Sequence, residues 1–172
     1  MATKTHAPSS SASSTLHPTL NDLPEKARQR MVQLLNQELA DLTDLNSQVK
    51  QAHWNVKGPD FIALHKLFDK VSAALLEAID LVAERAVQLG GTALGTVHLA
   101  AEHSRLPEYP IDITDGLDHV QAVSTSMAHC AKSVRAAIEA SEDCDDMGTS
   151  DLFTEVSRML DKNLWMIDAH RR

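Results

Sequence analysis

The sequence predicts an all-α protein, a four-helix bundle with one long crossover connection, on three observations. Aromatic residues make up only 3% of the 172 residues, whereas Ala and Leu are abundant, a balance that suits helix interiors better than strands. Gly and Pro leave four long windows without a helix breaker. A longer segment containing breakers separates the second window from the third, as an up-down-down-up bundle of one domain requires.

The N-terminal residues 1–20 are rich in Ser, Thr, Pro and Ala and carry no helical apolar stripe. We expect them to form a mobile tail, so that the bundle occupies residues 21–172. The first helix is predicted to begin near Asn21, where Asp22 and Glu25 have the spacing of a capping box. Its apolar stripe comprises Met31, Leu34, Leu35, Leu39, Leu42, Leu45 and Val49.

The three later helices follow the other breaker-free windows. Apolar residues recur at three- and four-residue steps over residues 64–89, and a Gly-Gly pair then ends the second helix. The crossover at residues 90–114 contains the run ALGTVHLAAEHS, which predicts a short extra helix. The third helix is expected at residues 115–141, and the fourth follows Thr149 or Ser150 as its N-cap.

Charge and cysteine usage narrow the classes of function. The formal net charge of −8 produces a field that repels nucleic acid and anionic lipid. The sequence has no apolar run of about 20 residues and no signal-like N-terminal segment, so we expect a soluble cytoplasmic protein without membrane contact. Cys130 and Cys144 form no CxxC motif and are expected to be inert thiols.

Metal-ligating side chains gather in and after the stretch QAHWNVKGPDFIALHKLFDK. His53 and His65 flank its central turn, and the second helix adds Asp69, Asp80 and Glu84. Imidazole nitrogen combined with carboxylate oxygen suits Fe, Mn or Zn and not Ca. No histidine has a Glu three residues before it, so the sequence lacks the Glu-x-x-His motifs of a di-iron site inside one bundle.

Helix geometry separates these ligands within one chain. Asp80 and Glu84 share one helical face within ~6 Å, but His65 precedes Asp80 by ~22 Å along the helix axis. Two copies whose second helices run antiparallel about a two-fold axis bring the histidines of one to the carboxylates of the other. The sequence therefore predicts a site shared between subunits. The alternative is a pair of solvated acids, with Glu84 paired to Arg85 or another surface cation.

The runs KQAHWNVKGPDFIALHKLFD and AIDLVAERAVQLGGTALGT strongly resemble the Dps family, the DNA-binding proteins from starved cells, also called mini-ferritins. The likeness spans residues 21–170 and includes YPIDI in the crossover and SRMLDKNLW in the last helix. It implies a ferritin-like four-helix bundle that assembles as a hollow homododecamer, with iron sites at the two-fold interfaces. The residues carried over are the ligands His53 and His65 of one subunit, the ligands Asp80 and Glu84 of the other, and Asp69 beside the site.

The resemblance also implies the chemistry. Fe(II) is oxidised, preferably by hydrogen peroxide, and ferric mineral is stored in the shell, which protects DNA from oxidative damage. Trp54 corresponds to a tryptophan next to the site, either a sacrificial electron donor or a large interface anchor. The family has acidic pores for iron at the three-fold axes of the shell, and Asp151 matches the position of the pore aspartate. Asp146 and Asp145 align with the pore less securely. The alternative is that these residues form a solvated acidic loop.

DNA binding is the family property that this sequence fits least. Residues 1–20 have Lys4 as their one Lys or Arg, and Arg171 and Arg172 form a small basic tip against a net charge of −8. Binding near neutral pH is therefore expected to be weak or absent, with nucleoid association only if DNA is bound. The remaining alternatives are a nucleoid-compacting DNA-binding protein with little ferroxidase activity, and a structural helical oligomer without chemistry.

Overall fold

The computed structural model describes residues 15–171, and every regular element in that range is helical. The predicted all-α class is confirmed, because the described residues contain no β-strand and only an isolated bridge between Lys57 and Asp115. None of the helices in this range is long and apolar enough to cross a bilayer. The helices are α1 Glu25–Asn55, α2 Phe61–Gln88, α3 Val97–His103, α4 Gly116–Glu142 and α5 Met147–Asp168, followed by a 3₁₀ turn at Ala169–Arg171.

The four long helices run up, down, down and up. Short turns join α1 to α2 and α4 to α5, so each of these pairs is an antiparallel hairpin. Helices α1 and α4 are also antiparallel, because Ser126 Oγ bonds Gln48 whereas Ser133 Oγ bonds Glu38, earlier in α1. Helix α2 packs on α5 and closes the bundle. This is the topology that the long connection in the sequence predicts.

The crossover between α2 and α4 runs along α1 and contains the predicted short helix, α3. Near its start, the Asn36 side chain accepts a hydrogen bond from the Leu94 N–H at 2.8 Å. Near its end, Gln48 donates to the Pro107 carbonyl at 3.1 Å. Side chains of α1 therefore fasten the connection at both ends and set where α4 begins.

Apolar stripes from all four long helices meet in one core, whose fully buried side chains include Met31, Leu75, Met127 and Phe153. Both cysteines are free, and burial raises the pKa of the Cys130 thiol, so this sulfur stays protonated and unreactive.

His17 and Thr19 lie next to Gly90, just after the end of α2. The His17 N–H donates to the Gly90 carbonyl at 2.7 Å. Gly90 has a φ of +87°, and a Cβ there would lie 2.7 Å from the His17 carbonyl, so only glycine fits this junction. Residues 1–14 of the predicted tail lie outside the described range, and the domain boundary near residue 20 stays a prediction.

Two helix starts differ from the sequence prediction. Helix α1 has Pro24 at its N-cap position and no side-chain cap, so the predicted capping box is wrong. Asn21 instead accepts from the Leu23 N–H at 3.0 Å, in a turn that precedes the helix. Helix α5 begins earlier than predicted, and Asp146 caps it by accepting from the Thr149 N–H.

Candidate metal centre

The two histidines of the predicted site lie side by side where α1 ends and α2 begins. Their rings stack with centroids 3.8 Å apart and planes inclined by 19°. His53 Nδ1 lies 2.8 Å from the His65 carbonyl oxygen, and His65 Nδ1 lies 2.9 Å from the His53 carbonyl oxygen. Because a carbonyl only accepts, each Nδ1 carries the ring proton, and each Nε2 keeps a lone pair with which to bind a metal.

The connecting turn holds the histidines in this arrangement. Val56 is the C-cap of α1, and Gly58 then takes a φ of +102°, a conformation that glycine adopts readily. The Phe61 N–H bonds the Gly58 carbonyl at 3.1 Å, and the Phe61 ring lies 5.1 Å from the His65 ring. The turn and its aromatic neighbour therefore restrict the orientation of the histidine pair.

Asp69 lies next to the histidines and is held by a lysine. Its Oδ1 is 4.0 Å from His53 Nε2, a gap that one metal ion at about 2.1 Å from each atom spans. Lys50 Nζ donates to the same oxygen at 2.9 Å. This hydrogen bond, together with the charge of Lys50, holds the pKa of the exposed Asp69 carboxyl below its usual range.

Trp54 lies beside the same lysine and is 68% exposed. Lys50 Nζ is 5.8 Å from the centre of the Trp54 ring, within reach of a cation–π contact. A tryptophan with this much surface in water suits either of the two predicted roles, because an interface and an electron donor both need an accessible ring.

Asp80 and Glu84 are exposed on α2, far from the histidines of the same chain. Across the described part of the chain, no hydrogen bond or ion pair reaches either carboxylate. Arg85, the suggested partner of Glu84, instead donates to Asp146 at 2.7 Å and to Thr149 at 2.9 Å. The alternative in which Glu84 pairs with Arg85 is therefore wrong.

The described residues of one chain do not complete a metal site. Within residues 15–171, no three His, Cys, Asp or Glu side chains converge on a point that would hold a metal ion. The donor set still fits an iron ion, because neutral imidazoles suit Fe(II) and carboxylates suit both oxidation states.

Comparison with known proteins decides the family. A model of the ferritin-like domain matches residues 32–172. The DNA protection during starvation protein of Agrobacterium fabrum is 45% identical over 154 residues, which cover 90% of this chain and 95% of that protein. The chain belongs to the Dps family.

Solved Dps structures share the fold. DpsA14 from Streptomyces coelicolor superposes with a TM-score of 0.85 at 32% identity, covering 90% of this chain and 93% of that one. A Dps from Microbacterium arborescens in the high iron form gives a TM-score of 0.81 at 31% identity, covering 88% and 98%. The ferritin-like bundle expected from the sequence is therefore confirmed.

Of the three aspartates assigned to a Dps pore, Asp146 is the one that the structure corrects. It is 2% exposed, and its carboxylate accepts hydrogen bonds from Arg85 and from Thr149 N–H and Oγ1. A buried carboxylate with these partners caps a helix and is not available to a pore. Asp145, with a φ of +55°, and Asp151 on α5 are both exposed.

Sequence reasoning missed Lys50, which donates a hydrogen bond to Asp69 beside the two histidines. A signal was available, because Lys50 precedes His53 by three residues and Trp54 by four and so shares their helical face. Its bond to Asp69, on the neighbouring helix, had no sequence signal.

Proposed function

We propose that this Dps protein stores and detoxifies iron: it oxidises Fe(II), preferably with hydrogen peroxide, at sites shared between two subunits. Ferric mineral then accumulates in a homododecameric shell. DNA is protected because Fe(II) and hydrogen peroxide, which together generate hydroxyl radicals, are both removed. The observation that carries the proposal is the exposed face of α2. Along that face, potential ligands alternate with apolar side chains in an order that fits a second copy of the same face.

The ligands on this face are placed symmetrically. His65, Asp69, Asp80 and Glu84 follow one another at spacings that keep them on one side of the helix. Suppose two copies of α2 run antiparallel about an axis through the midpoint of residues 65–84. His65 then lies opposite Glu84 and Asp69 lies opposite Asp80, so both sets of ligands meet at once.

The apolar residues obey the same symmetry. Ile62, Leu76 and Val87 are 56%, 55% and 56% exposed and lie on the same side of α2 as the potential ligands. The same axis places Ile62 opposite Val87 and the exposed Ala73 opposite Leu76. A self-complementary surface of this kind is what an isologous interface requires, and its burial favours association of two chains.

The site then joins two imidazoles to two or three carboxylates around substrate Fe(II). Each peroxide accepts two electrons and two protons and leaves as two molecules of water. Two Fe(II) ions supply both electrons and become two Fe(III) ions, so no hydroxyl radical forms. Carboxylates favour the harder Fe(III), and unfilled coordination positions admit the oxidant. Lys50 balances the charge of Asp69 before a cation binds.

The proposal extends to iron uptake and to DNA. Asp151 and Asp145 supply exposed carboxylates near the start of α5, where subunits are proposed to form an acidic pore. DNA binding is proposed to be weak near neutral pH, because the formal net charge of −8 opposes it. Tight retention of DNA in a low-salt gel shift at neutral pH would contradict this part.

The proposal is tested by following Fe(II) oxidation by absorbance, with stoichiometric hydrogen peroxide and separately with dissolved oxygen. The double variant His53→Ala/His65→Ala should oxidise iron at less than about one hundredth of the wild-type rate. The reason is that loss of a residue that only orients a metal ligand already lowers metal affinity or activity by about 10–100-fold. His98→Ala, which removes an exposed histidine from α3, serves as the matched control and should retain the wild-type rate. Equal rates for the double variant and the wild type would remove the proposed site.

A further inference from the structure

A short hydrogen bond joins Tyr109 to His119, outside the candidate metal centre. Tyr109 Oη lies 2.6 Å from His119 Nδ1. Tyr109 belongs to the crossover and is half-buried, whereas His119 lies in the first turn of α4 and is 1% exposed. Tyr109 is also the only tyrosine in the sequence. Any tyrosine signal from this protein therefore reports on this pair.

Both partners are uncharged near neutral pH, which fixes the direction of the bond. Burial raises the pKa of the Tyr109 phenol and lowers the pKa of the His119 imidazole. The phenol therefore donates its proton to Nδ1, and the ring proton of His119 resides on Nε2. That nitrogen is buried and has no hydrogen-bond partner among the described residues, although the backbone of Asn55 lies near the ring.

The pair adjoins the turn that carries the histidine ligands. A Cβ on Gly116, the first residue of α4, would lie 3.4 Å from the Lys57 carbonyl. Lys57 and Asp115 also form a backbone bridge, so the start of α4 rests on the α1–α2 turn. The contact of His119 with Asn55 then places the pair close to the end of α1, where His53 and Trp54 lie.

The arrangement suits loss of one electron from tyrosine. A protonated phenol resists oxidation unless its proton leaves with the electron, and His119 Nδ1 is a base within hydrogen-bond distance. The products are a neutral phenoxyl radical on Tyr109 and an imidazolium on His119. The carboxylates of Asp115 and Asp118 favour that positive charge.

We propose that Tyr109 donates one electron to peroxide reduction at the metal centre, with His119 as the acceptor of its proton. This inference rests on the proposed function. It applies when a site holds a single Fe(II), which supplies only one of the two electrons that peroxide needs. Hydrogen peroxide, Fe(II), the Tyr109 phenol and the neutral His119 imidazole then give Fe(III), two hydroxide ions, the phenoxyl radical and the His119 imidazolium, so no hydroxyl radical is released.

The pair itself is tested first on metal-free protein. Pulse-generated azidyl radicals oxidise Tyr109, and high-field electron paramagnetic resonance reports whether the phenoxyl oxygen accepts a hydrogen bond. The wild type should show that hydrogen bond, and His119→Gln should lose it together with most of the radical yield at neutral pH. Circular dichroism confirms that the variant is folded. A wild-type radical without the hydrogen bond overturns the assignment of His119.

The donor role is tested with one Fe(II) per site, equimolar hydrogen peroxide and rapid freezing. The wild type should give a tyrosyl radical, and Tyr109→Phe should give none and release several-fold more hydroxyl radical to a spin trap. Trp165→Phe, which alters an exposed tryptophan on α5, is the control and should match the wild type. Iron oxidation without a tyrosyl radical overturns the donor role alone. Failure of the wild type to oxidise Fe(II) overturns the proposed function as well.

Discussion

His53 and His65 each donate Nδ1–H to the backbone carbonyl of the other, at 2.8 and 2.9 Å. The two bonds use main-chain acceptors, so neither depends on the side chain of the partner. Each histidine is thus fixed in the tautomer that offers Nε2, even when the other is replaced. Replacement of one histidine therefore leaves the orientation of the other unchanged, so the effect of each histidine on metal binding can be measured separately.

Replacing His65 with Ala should therefore weaken metal binding without abolishing it. His53 keeps its bond to the carbonyl of residue 65, and the site loses one ligand of its set. Calorimetric titration with Co(II), a redox-inert probe in the absence of oxygen, should show an affinity about 10–100-fold lower than wild type. A complete loss of binding, in a variant with wild-type circular dichroism, would show that His53 is not held independently.

Lys50→Met should increase the affinity of the site for divalent cations. Lys50 donates to Asp69 at 2.9 Å, so the ammonium competes with a metal for that carboxylate. Removing it also lets the pKa of Asp69 rise toward its usual range. Co(II) titration at low salt measures the change, and Lys57→Met, on an exposed lysine of the turn, is the control. Weaker binding in Lys50→Met would mean that Lys50 supports the site.

Asp146→Ala should destabilise the subunit by about 3 kcal/mol. The change removes the cap of α5 and leaves Arg85, whose side chain is only 17% exposed, without its ion-pair partner. A loss of this size lowers the thermal midpoint by roughly 6–12 °C for a chain of this length. Asp112→Ala, at an exposed aspartate of the crossover, should leave the midpoint unchanged. A midpoint within about 2 °C of wild type would rule out the structural role of Asp146.

Glu38 gives the fold a pH dependence. Its side chain is 1% exposed, and Oε1 accepts from Arg105 at 2.9 Å and from Ser133 at 2.6 Å, while Oε2 is unpaired. Burial raises the pKa of Glu38 above its unfolded value of 4.5, despite those donors. The folded state then binds more protons than the unfolded state, so this group favours folding at low pH, and that contribution is lost as pH rises.

Glu38→Gln should remove this dependence, because glutamine keeps an acceptor for Arg105 and Ser133 and has no charge. Urea midpoints of the wild type should fall, relative to those of the variant, as pH rises from 4.5 through the raised pKa. Glu139→Gln, on the exposed side of α4, is the control. Parallel pH profiles for Glu38→Gln and wild type would contradict the assignment.

The sequence was sufficient for the number of long helices and for the order in which they run, but not for where α1 and α5 begin. The apolar spacing of α2 and the glycine that ends it depend on neighbours in sequence, and Gly90 has the positive φ that the pattern indicates. Asp146 was misassigned because, in sequence, it is one of several adjacent acids. Its burial depends on Arg85, which lies 61 residues away in the chain and contacts it only in the folded state.

For the candidate site too, features that depend on spacing along one helix could be predicted from the sequence, whereas contacts between helices could not. Spacing along one helix predicted His65, Asp80 and Glu84 as ligands and placed the histidine too far along α2 to share a metal with these carboxylates in one chain, because helical rise is the same in any sequence. Contacts between helices had no such signal. The bond from Lys50 to Asp69 and the bond from Tyr109 to His119 needed the packed structure.

The central claim is that two subunits build each site, and mixed assemblies test it most directly. One variant, His53→Ala/His65→Ala, lacks the histidines, and the other, Asp80→Ala/Glu84→Ala, lacks the carboxylates. Each alone should be nearly inactive. In an equal mixture reassembled from subunits, half of the two-fold pairs are mixed, and each mixed pair holds one intact site of two. Fe(II) oxidation should therefore recover to about a quarter of the wild-type rate. A mixture no more active than the separate variants would contradict the shared site.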